Sequence, residues 1–198
     1  AERGNSMNLL RRRAMYKVGE LPSGYKQCNY LESTGTQTIN TGLTPVYGDE
    51  INVIAYRTSN SINMFYASGT LTVTGVGEIY CRYFTSTNKA ATEIHSSIFP
   101  YDAQYHHIML SKYGFYADGN FVIKLTGERA EAGTLTIFRG TREYGKIRIK
   151  RFYITRDGLY TLNLIPALDR NGTPCMYDAV SKQTFYNERT GEFLYELA

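Results

Sequence analysis

The sequence predicts an all-β protein, built as a two-layer antiparallel β-sandwich. The 198 residues include 18 tyrosines and 18 glycines but no tryptophan, and 42% are hydrophobic, a composition that favours strands and turns and can fill a core. A series of short segments alternates apolar with polar residues between turn residues. A meander from Tyr105 to Leu125 is the third observation, because its Asp118-Gly119 pair suits a tight hairpin turn.

In the first half of the chain, strands are predicted at 27–31, 36–40, 50–57, 63–67, 70–74, 77–84 and 91–95. Pro22 and Gly24 form a turn before the first of them. Alternation within 77–84 gives two different faces. One carries Glu78, Tyr80, Arg82 and Phe84, and the other carries Ile79, Cys81 and Tyr83.

In the second half, strands are predicted at 106–112, 113–116, 121–125, 133–138, 146–155 and 160–168, with short closing strands around 176–177, 184–186 and 193–195. Asp157-Gly158 predicts a second tight hairpin. Strict alternation along 146–155 places Lys146, Arg148 and Lys150 on one face and Ile147, Ile149 and Arg151 on the other.

The chain is expected to contain one domain, residues 21–198, after an N-terminal arm at 1–20. Residues 1–6 have the appearance of a cloning remnant, which makes Met7 the expected native start. The segment from Met7 to Tyr16 fits two turns of helix that pack on the sandwich or on a neighbouring subunit. It fits a flexible cationic arm equally well.

The net charge is +4, and part of it is local to Arg11, Arg12 and Arg13, so no specific nucleic-acid binding is expected. There is no apolar run of about 18 residues, and no transmembrane segment is predicted. The stretch after Arg13 is too short and polar for a signal peptide, so synthesis in the cytoplasm is expected. Cys28, Cys81 and Cys175 are predicted to be buried thiols, a disulfide between two of them being the alternative.

Three groups of motifs occur together: the Tyr105-His106-His107 strand with its Asp118-Gly119 turn, the opening segments 21–25, 30–37 and 40–42, and the closing segments 164–167, 172–178 and 190–193. These motifs resemble a family of laminin-G-like and concanavalin A-like jelly-roll domains common in gut bacteria and their phages. The resemblance covers 21–193 and implies a concanavalin A-like jelly roll. It says little about function, because this fold carries enzymes, lectins and structural modules alike.

No catalytic arrangement is evident. Related glycoside hydrolases use paired carboxylates that project from one strand into a cleft, and this chain has no such pattern. His106 and His107 are adjacent, so on a strand they point to opposite faces and cannot bind one metal ion together. The chain is therefore predicted not to be an enzyme, with a glycoside hydrolase as the weaker alternative.

Calcium is the one cofactor that the resemblance implies, because some laminin-G-like and lectin domains bind it through Asp, Asn and backbone oxygens. The candidates for a metal site are Asp118 and Asn120, which also suit an ordinary turn.

Carbohydrate binding asks for aromatic rings that stack on sugar faces, and for amides and arginines that recognise hydroxyls. The candidate ligand-binding residues are Tyr56, Arg57, Tyr66, Arg82, Tyr83 and Asn88. The row of Lys146, Arg148 and Lys150 fits an anionic glycan or a solvated strand face.

We therefore expect a lectin-like recognition or adhesion module that binds glycan on a host-cell or mucosal surface, located on a virion or cell surface. The alternative is a structural virion protein, a tail or decoration component that self-associates into a homo-oligomer.

Overall fold

A computed structural model describes residues 21–125, 129–140 and 143–198, so the predicted N-terminal arm lies outside the described residues. In this part the chain forms sixteen strands and a 3-10 turn at Ser96–Ile98. The strands are β1 Lys26–Glu32, β2 Ile39–Asn40, β3 Glu50–Arg57, β4 Phe65–Ala67, β5 Leu71–Thr74, β6 Ile79–Arg82, β7 Thr92–Ile94, β8 Tyr105–Ser111, β9 Gly114–Ala117, β10 Asn120–Ile123, β11 Thr136–Ile137, β12 Ile147–Arg156, β13 Leu159–Leu168, β14 Pro174–Asp178, β15 Thr184–Phe185 and β16 Leu194–Leu197.

The strands form two antiparallel sheets, which confirms the predicted two-layer β-sandwich. The large sheet has the order β10-β9-β8-β3-β12-β1-β13-β14-β15, and β16 pairs with β1. The small sheet has the order β2-β11-β4-β5-β6-β7. Strand β3 spans the same residues as predicted, because its alternation is regular from end to end.

The core lies between the two sheets and is filled by alternate residues of the facing strands. Ile51, Val53 and Ala55 of β3 are fully buried. Phe152 of β12 meets Phe65 of β4 edge-on, with ring centroids 5.7 Å apart, so the two rings join the large sheet to the small one. Burial of side chains this size is the main favourable contribution to folding.

Two hairpin turns adopt the conformation that their sequences predict. Asp118 and Gly119 have φ of 49° and 80°, and Asp157 and Gly158 have φ of 50° and 75°. Both central residues of a tight type I′ turn need positive φ, which Asp-Gly tolerates well. These turns connect β9 to β10 and β12 to β13.

Strand β12 departs from the predicted strict alternation at one residue. Ile149 pairs with Ala55 of β3 and Arg151 pairs with Ile54, so Lys150 is the extra residue of a β-bulge. Beyond the bulge the alternation restarts, and Arg151 lies on the same face as Arg148. The expectation that Arg151 shares the face of Ile147 and Ile149 was wrong, because strict alternation does not hold across a bulge.

Strand β1 enters the large sheet as a wedge between β12 and β13. These two strands pair with each other from Phe152 to Arg156 of β12. Further along, β12 pairs with β1 at Arg148 and Ile149, whereas β13 pairs with β1 at Ala167 and Leu168. The two long strands therefore separate where β1 lies between them.

The three cysteines are free and buried, as predicted. Burial raises the pKa of Cys28 to about 11 and those of Cys81 and Cys175 to about 12. The thiols are therefore neutral and unreactive near neutral pH.

Candidate functional site

The six predicted ligand residues do not form one site. Tyr56 lies on the outer face of the large sheet, and Tyr66 and Arg82 lie on the outer face of the small sheet. Asn88 lies in an exposed turn after β6. Arg57 and Tyr83 are buried, with 6% and 1% of their surfaces exposed.

Tyr83 is a core residue with a satisfied hydroxyl group. The hydroxyl donates a hydrogen bond to the carbonyl of Asp49 at 2.8 Å and accepts one from the backbone N–H of Gly48 at 3.1 Å. Burial raises the pKa of Tyr83 to about 12. Because its ring has no accessible face, Tyr83 cannot stack on a sugar in this structure.

Arg57 is a buried side chain that donates hydrogen bonds to the backbone of more than one loop. Its Nε donates to the carbonyl of Ser59 at 2.9 Å, and a terminal nitrogen donates to the carbonyl of Phe99 at 3.1 Å. Burial lowers the pKa of Arg57, while nearby Glu78 opposes that shift. The Arg57 guanidinium bonds to the protein's own backbone and Tyr83 is buried, so we exclude both residues from the candidate site.

The outer face of the large sheet carries stacked arginine and tyrosine side chains. The guanidinium of Arg148 lies between the rings of Tyr30 and Tyr56, 4.6 and 4.9 Å from their centroids, and its Nε is 2.6 Å from Glu32. Burial disfavours this charge, but the bond to Glu32 outweighs that effect and raises the pKa of Arg148. The Tyr56 ring thus contacts Arg148, whose charge is already paired with the carboxylate of Glu32.

A pocket of about 400 Å³ opens on the outer face of the small sheet, and we call it the small-sheet pocket. Strands β5 and β6 supply four of its lining residues, and in these strands Thr72 pairs with Arg82 and Thr74 with Tyr80. The lining residues among those described are Asn63, Thr72, Thr74, Gly75, Val76, Tyr80, Arg82, Ala91 and Glu143. Tyr66 of β4 pairs with Thr72 of β5 beside the pocket. The Arg139 guanidinium stacks over the Tyr66 ring, 5.8 Å from its centroid.

Arg82 is held rigidly at this pocket. Its two terminal nitrogens donate to the carbonyls of Gly69 and Lys89, at 3.1 and 2.8 Å. Its Nε is buried and has no hydrogen-bond partner in the described part of the chain. A buried donor without a partner is costly to a fold and is common at functional sites.

The pocket offers the group types that recognise hydroxyls. Asn63 supplies an amide, Thr72 and Thr74 supply hydroxyls, and Glu143 supplies a carboxylate. Within the protein the Asn63 amide donates to the Ser61 hydroxyl at 3.0 Å and its oxygen accepts from Thr74, while the Thr72 hydroxyl donates to the carbonyl of Phe65 at 2.9 Å. The ring of Tyr80 is 37% exposed and provides an aromatic surface. Sequence reasoning missed Tyr80, although alternation already placed it on the face of Arg82. The hydroxyl residues come from a different strand, which gave no local signal.

The calcium candidates lie at the β9–β10 turn. Both carboxylate oxygens of Asp118 are engaged, one by the His106 ring at 2.7 Å and the other by the backbone N–H of His107 at 2.8 Å. The amide of Asn120 donates to the carbonyl of Asp118 at 3.4 Å. Residues 21–125, 129–140 and 143–198 contain no group of three or more His, Cys, Asp or Glu placed to hold a metal ion. Calcium binding at this turn therefore stays a prediction.

His106 and His107 point to opposite faces, as predicted. The ring of His106 lies between Asp118 and Asp102, with the second contact at 3.1 Å. Burial lowers the pKa of this ring, but the two carboxylates outweigh burial and raise it overall. The Nε2–H of His107 donates a hydrogen bond to the side-chain oxygen of Asn52 at 2.9 Å, and burial lowers the pKa of this ring.

Comparisons with known proteins leave the site to be judged on its geometry. No protein-family model matches the chain, and no curated protein is significantly similar to it in sequence. Within the described ranges, none of the helical structure is long and apolar enough to cross a membrane.

Proposed function

We propose that the protein is a non-catalytic recognition module that binds carbohydrate in the small-sheet pocket. The observation that carries the proposal is the joint lining of this pocket by an exposed tyrosine ring, a fixed arginine, an amide, two hydroxyls and one carboxylate. Sugars present an apolar ring face and several hydroxyls that both donate and accept hydrogen bonds. A pocket that combines one ring with mixed donors and acceptors matches both features.

The volume supports a ligand of limited size. About 400 Å³ is at the lower end of small-molecule pockets and suits one or two sugar units. Arg82 needs little reorganisation on binding, because two backbone carbonyls already fix its guanidinium. Preorganisation of this kind lowers the entropic cost of binding.

A hydrolytic role has less support. Glycosidases need two carboxylates about 5 to 10 Å apart. Glu143 is the one carboxylate among the described residues that line the pocket. A lone carboxylate can accept hydrogen bonds from sugar hydroxyls but cannot supply both the acid and the nucleophile or base.

The resemblance of the sequence to jelly-roll domains of gut bacteria and phages supports the proposal that the lectin acts on a virion or cell surface, where it would contact host or mucosal glycan. The alternative of a self-associating structural protein has one specific observation in its favour. Strand β16 pairs with β1 and exposes 53% of Leu194, 42% of Tyr195 and 48% of Leu197. An exposed apolar edge strand is a typical site for pairing with another chain.

The test is binding of the purified protein to a broad glycan array, run with calcium and again with a chelator. The key variant is Tyr80→Ala, because the Tyr80 side chain is partly exposed and forms no hydrogen bond with the described residues. Tyr113→Ala is the matched control, since Tyr113 is 62% exposed and lies on the β8–β9 turn of the other sheet.

Saturable binding that falls at least about tenfold in Tyr80→Ala and persists in Tyr113→Ala would support the proposal. Equal binding by both variants would refute the small-sheet pocket as the site. If no glycan binds under either condition, the lectin proposal fails. A concentration-dependent oligomer in sedimentation that is lost on Leu194→Lys would then favour the structural alternative.

A further inference from the structure

A second pocket opens on the outer face of the large sheet, where β12 and β13 separate around β1. We call it the wedge pocket. It has a volume of about 330 Å³ and is lined by Gln27, Asn29, Ile54, Lys150, Arg151 and Ile165, with Cys28 beside them. The separation of the two long strands removes the side-chain pairs that would otherwise cover this part of the sheet.

The β-bulge gives this pocket two neighbouring cations. Lys150 is the extra residue of the bulge, and Arg151 follows it onto the outer face beside Ile54. A regular strand would have turned the two side chains to opposite faces of the sheet. The bulge therefore places both cations on the outer face, where the Lys150 ammonium stacks over the Tyr105 ring, 5.5 Å from its centroid.

The charges at the pocket are not neutralised within the described ranges. Arg148, the next cation along the strand, forms an ion pair with Glu32 at 2.6 Å. Neither Lys150 nor Arg151 forms an ion pair with a carboxylate of the described residues. The Cys28 thiol adds no negative charge, since burial raises its pKa to about 11.

Arg151 is fixed in place by neutral partners. Its Nε donates to the Asn163 side chain at 3.0 Å, and one terminal nitrogen donates to the Tyr160 hydroxyl at 3.4 Å. The guanidinium stacks over the rings of Tyr153 and Tyr160, 5.1 and 5.6 Å from their centroids. A guanidinium has five N–H donors, so three of those of Arg151 have no hydrogen-bond partner among the described residues and can bind a ligand.

We propose that the wedge pocket binds the carboxylate of a small acidic sugar. Arg151 would hold the carboxylate with its free donors, in the charge-assisted geometry that arginine favours, and Lys150 would add a second positive charge. The amides of Gln27 and Asn29 lie on the same pocket and would contact the sugar hydroxyls, above an apolar floor of Ile54 and Ile165. This site lies on the opposite sheet from the small-sheet pocket, and its proposed ligand is charged.

The experiment compares glucuronate with glucose, two probes of the same ring size that differ in the carboxylate. Binding is measured on the full chain by titration calorimetry and by shifts of the Gln27 and Asn29 side-chain amide signals in NMR. The test variants are Lys150→Gln and Arg151→Gln. The control is Lys112→Gln, because Lys112 also stacks on a tyrosine, with its ammonium 5.1 Å from the Tyr113 ring, but lies at the β8–β9 turn.

We expect glucuronate to bind and glucose to bind at least about tenfold more weakly. Each test variant should weaken glucuronate binding by about tenfold or more, since charge-assisted hydrogen bonds contribute about that much. Lys112→Gln should bind like the unmodified chain. If Arg151→Gln is poorly folded, the exposed Lys150→Gln variant still decides the outcome. Equal binding of the two probes, or unchanged binding in Lys150→Gln, would overturn the proposal.

Discussion

Substitution of Tyr83 by phenylalanine separates a structural role from a ligand-binding one. The Tyr83→Phe variant keeps the ring, which packs against Phe84 with centroids 4.9 Å apart, and removes only the hydroxyl. That hydroxyl bridges two backbone groups, the N–H of Gly48 and the carbonyl of Asp49. Asp49 is fully buried, so water cannot easily replace the lost donor.

The expected cost is about 2 kcal/mol of unfolding free energy, from two net hydrogen bonds of about 1 kcal/mol each. For a domain of this size that corresponds to a fall in melting temperature of about 4–8 °C. The assay is urea unfolding followed by tyrosine fluorescence, with the glycan array run in parallel. Glycan binding should not change, because Tyr83 has no accessible surface.

Tyr47→Phe is the matched control for this prediction. Tyr47 contacts Tyr83 with ring centroids 5.7 Å apart, and its hydroxyl forms no hydrogen bond with a described residue. The ring that lies under Arg129 is kept in this variant. We expect a change of less than about 0.5 kcal/mol. Loss of glycan binding in Tyr83→Phe at unchanged stability would refute the structural assignment of Tyr83.

Two further predictions concern the core and the His106 cluster. Phe152→Ala should destabilise the fold by about 3–5 kcal/mol in urea unfolding, because removal of the fully buried ring leaves a cavity between the sheets. The control is Phe121→Ala, which should cost less than about 1 kcal/mol because Phe121 is 57% exposed. The pKa of His106 is raised in the folded state, so the protonated ring stabilises the fold. This stabilisation is complete below the pKa of His106 in the unfolded chain and is lost as the pH rises through its pKa in the folded protein. The stability difference between the unmodified chain and His106→Gln, measured from about pH 5.5 to about pH 8.5, should therefore shrink as pH rises. His107 has a lowered pKa and acts in the opposite sense, but it is present in both proteins and cancels in the difference. A difference that stays flat across this range would contradict the assignment.

Local sequence patterns predicted the sheets and turns of this fold well. Regular alternation gave β3 its correct ends, and the two Asp-Gly pairs sit at positive φ in the predicted hairpins. These features depend on a few adjacent residues, so they can be predicted without knowledge of the tertiary structure. The pairing of β1 with both β12 and β13 joins segments more than 100 residues apart and has no comparable local signal.

The candidate site was predicted less well, because residue type was given more weight than strand face. Tyr83 follows Ile79 and Cys81 on the same face, and all three are buried. Tyr80 lies on the other face with Arg82, and it lines the small-sheet pocket. On a half-buried strand the face decides which aromatic ring a ligand can reach, whatever the residue type suggests.

Both candidate pockets occur where the regular sheet pattern is interrupted. At the small-sheet pocket, β5 ends at Thr74, and Gly75 and Val76, which follow the strand, line the pocket. At the wedge pocket, one extra residue in β12 turns Arg151 outward. A continuous sheet covers its own surface with neighbouring side chains, so concave, polar surfaces arise where a bulge, a separated strand pair or a glycine removes that cover. Alternation therefore predicts the sandwich but not its binding surfaces, because those surfaces depend on where alternation fails.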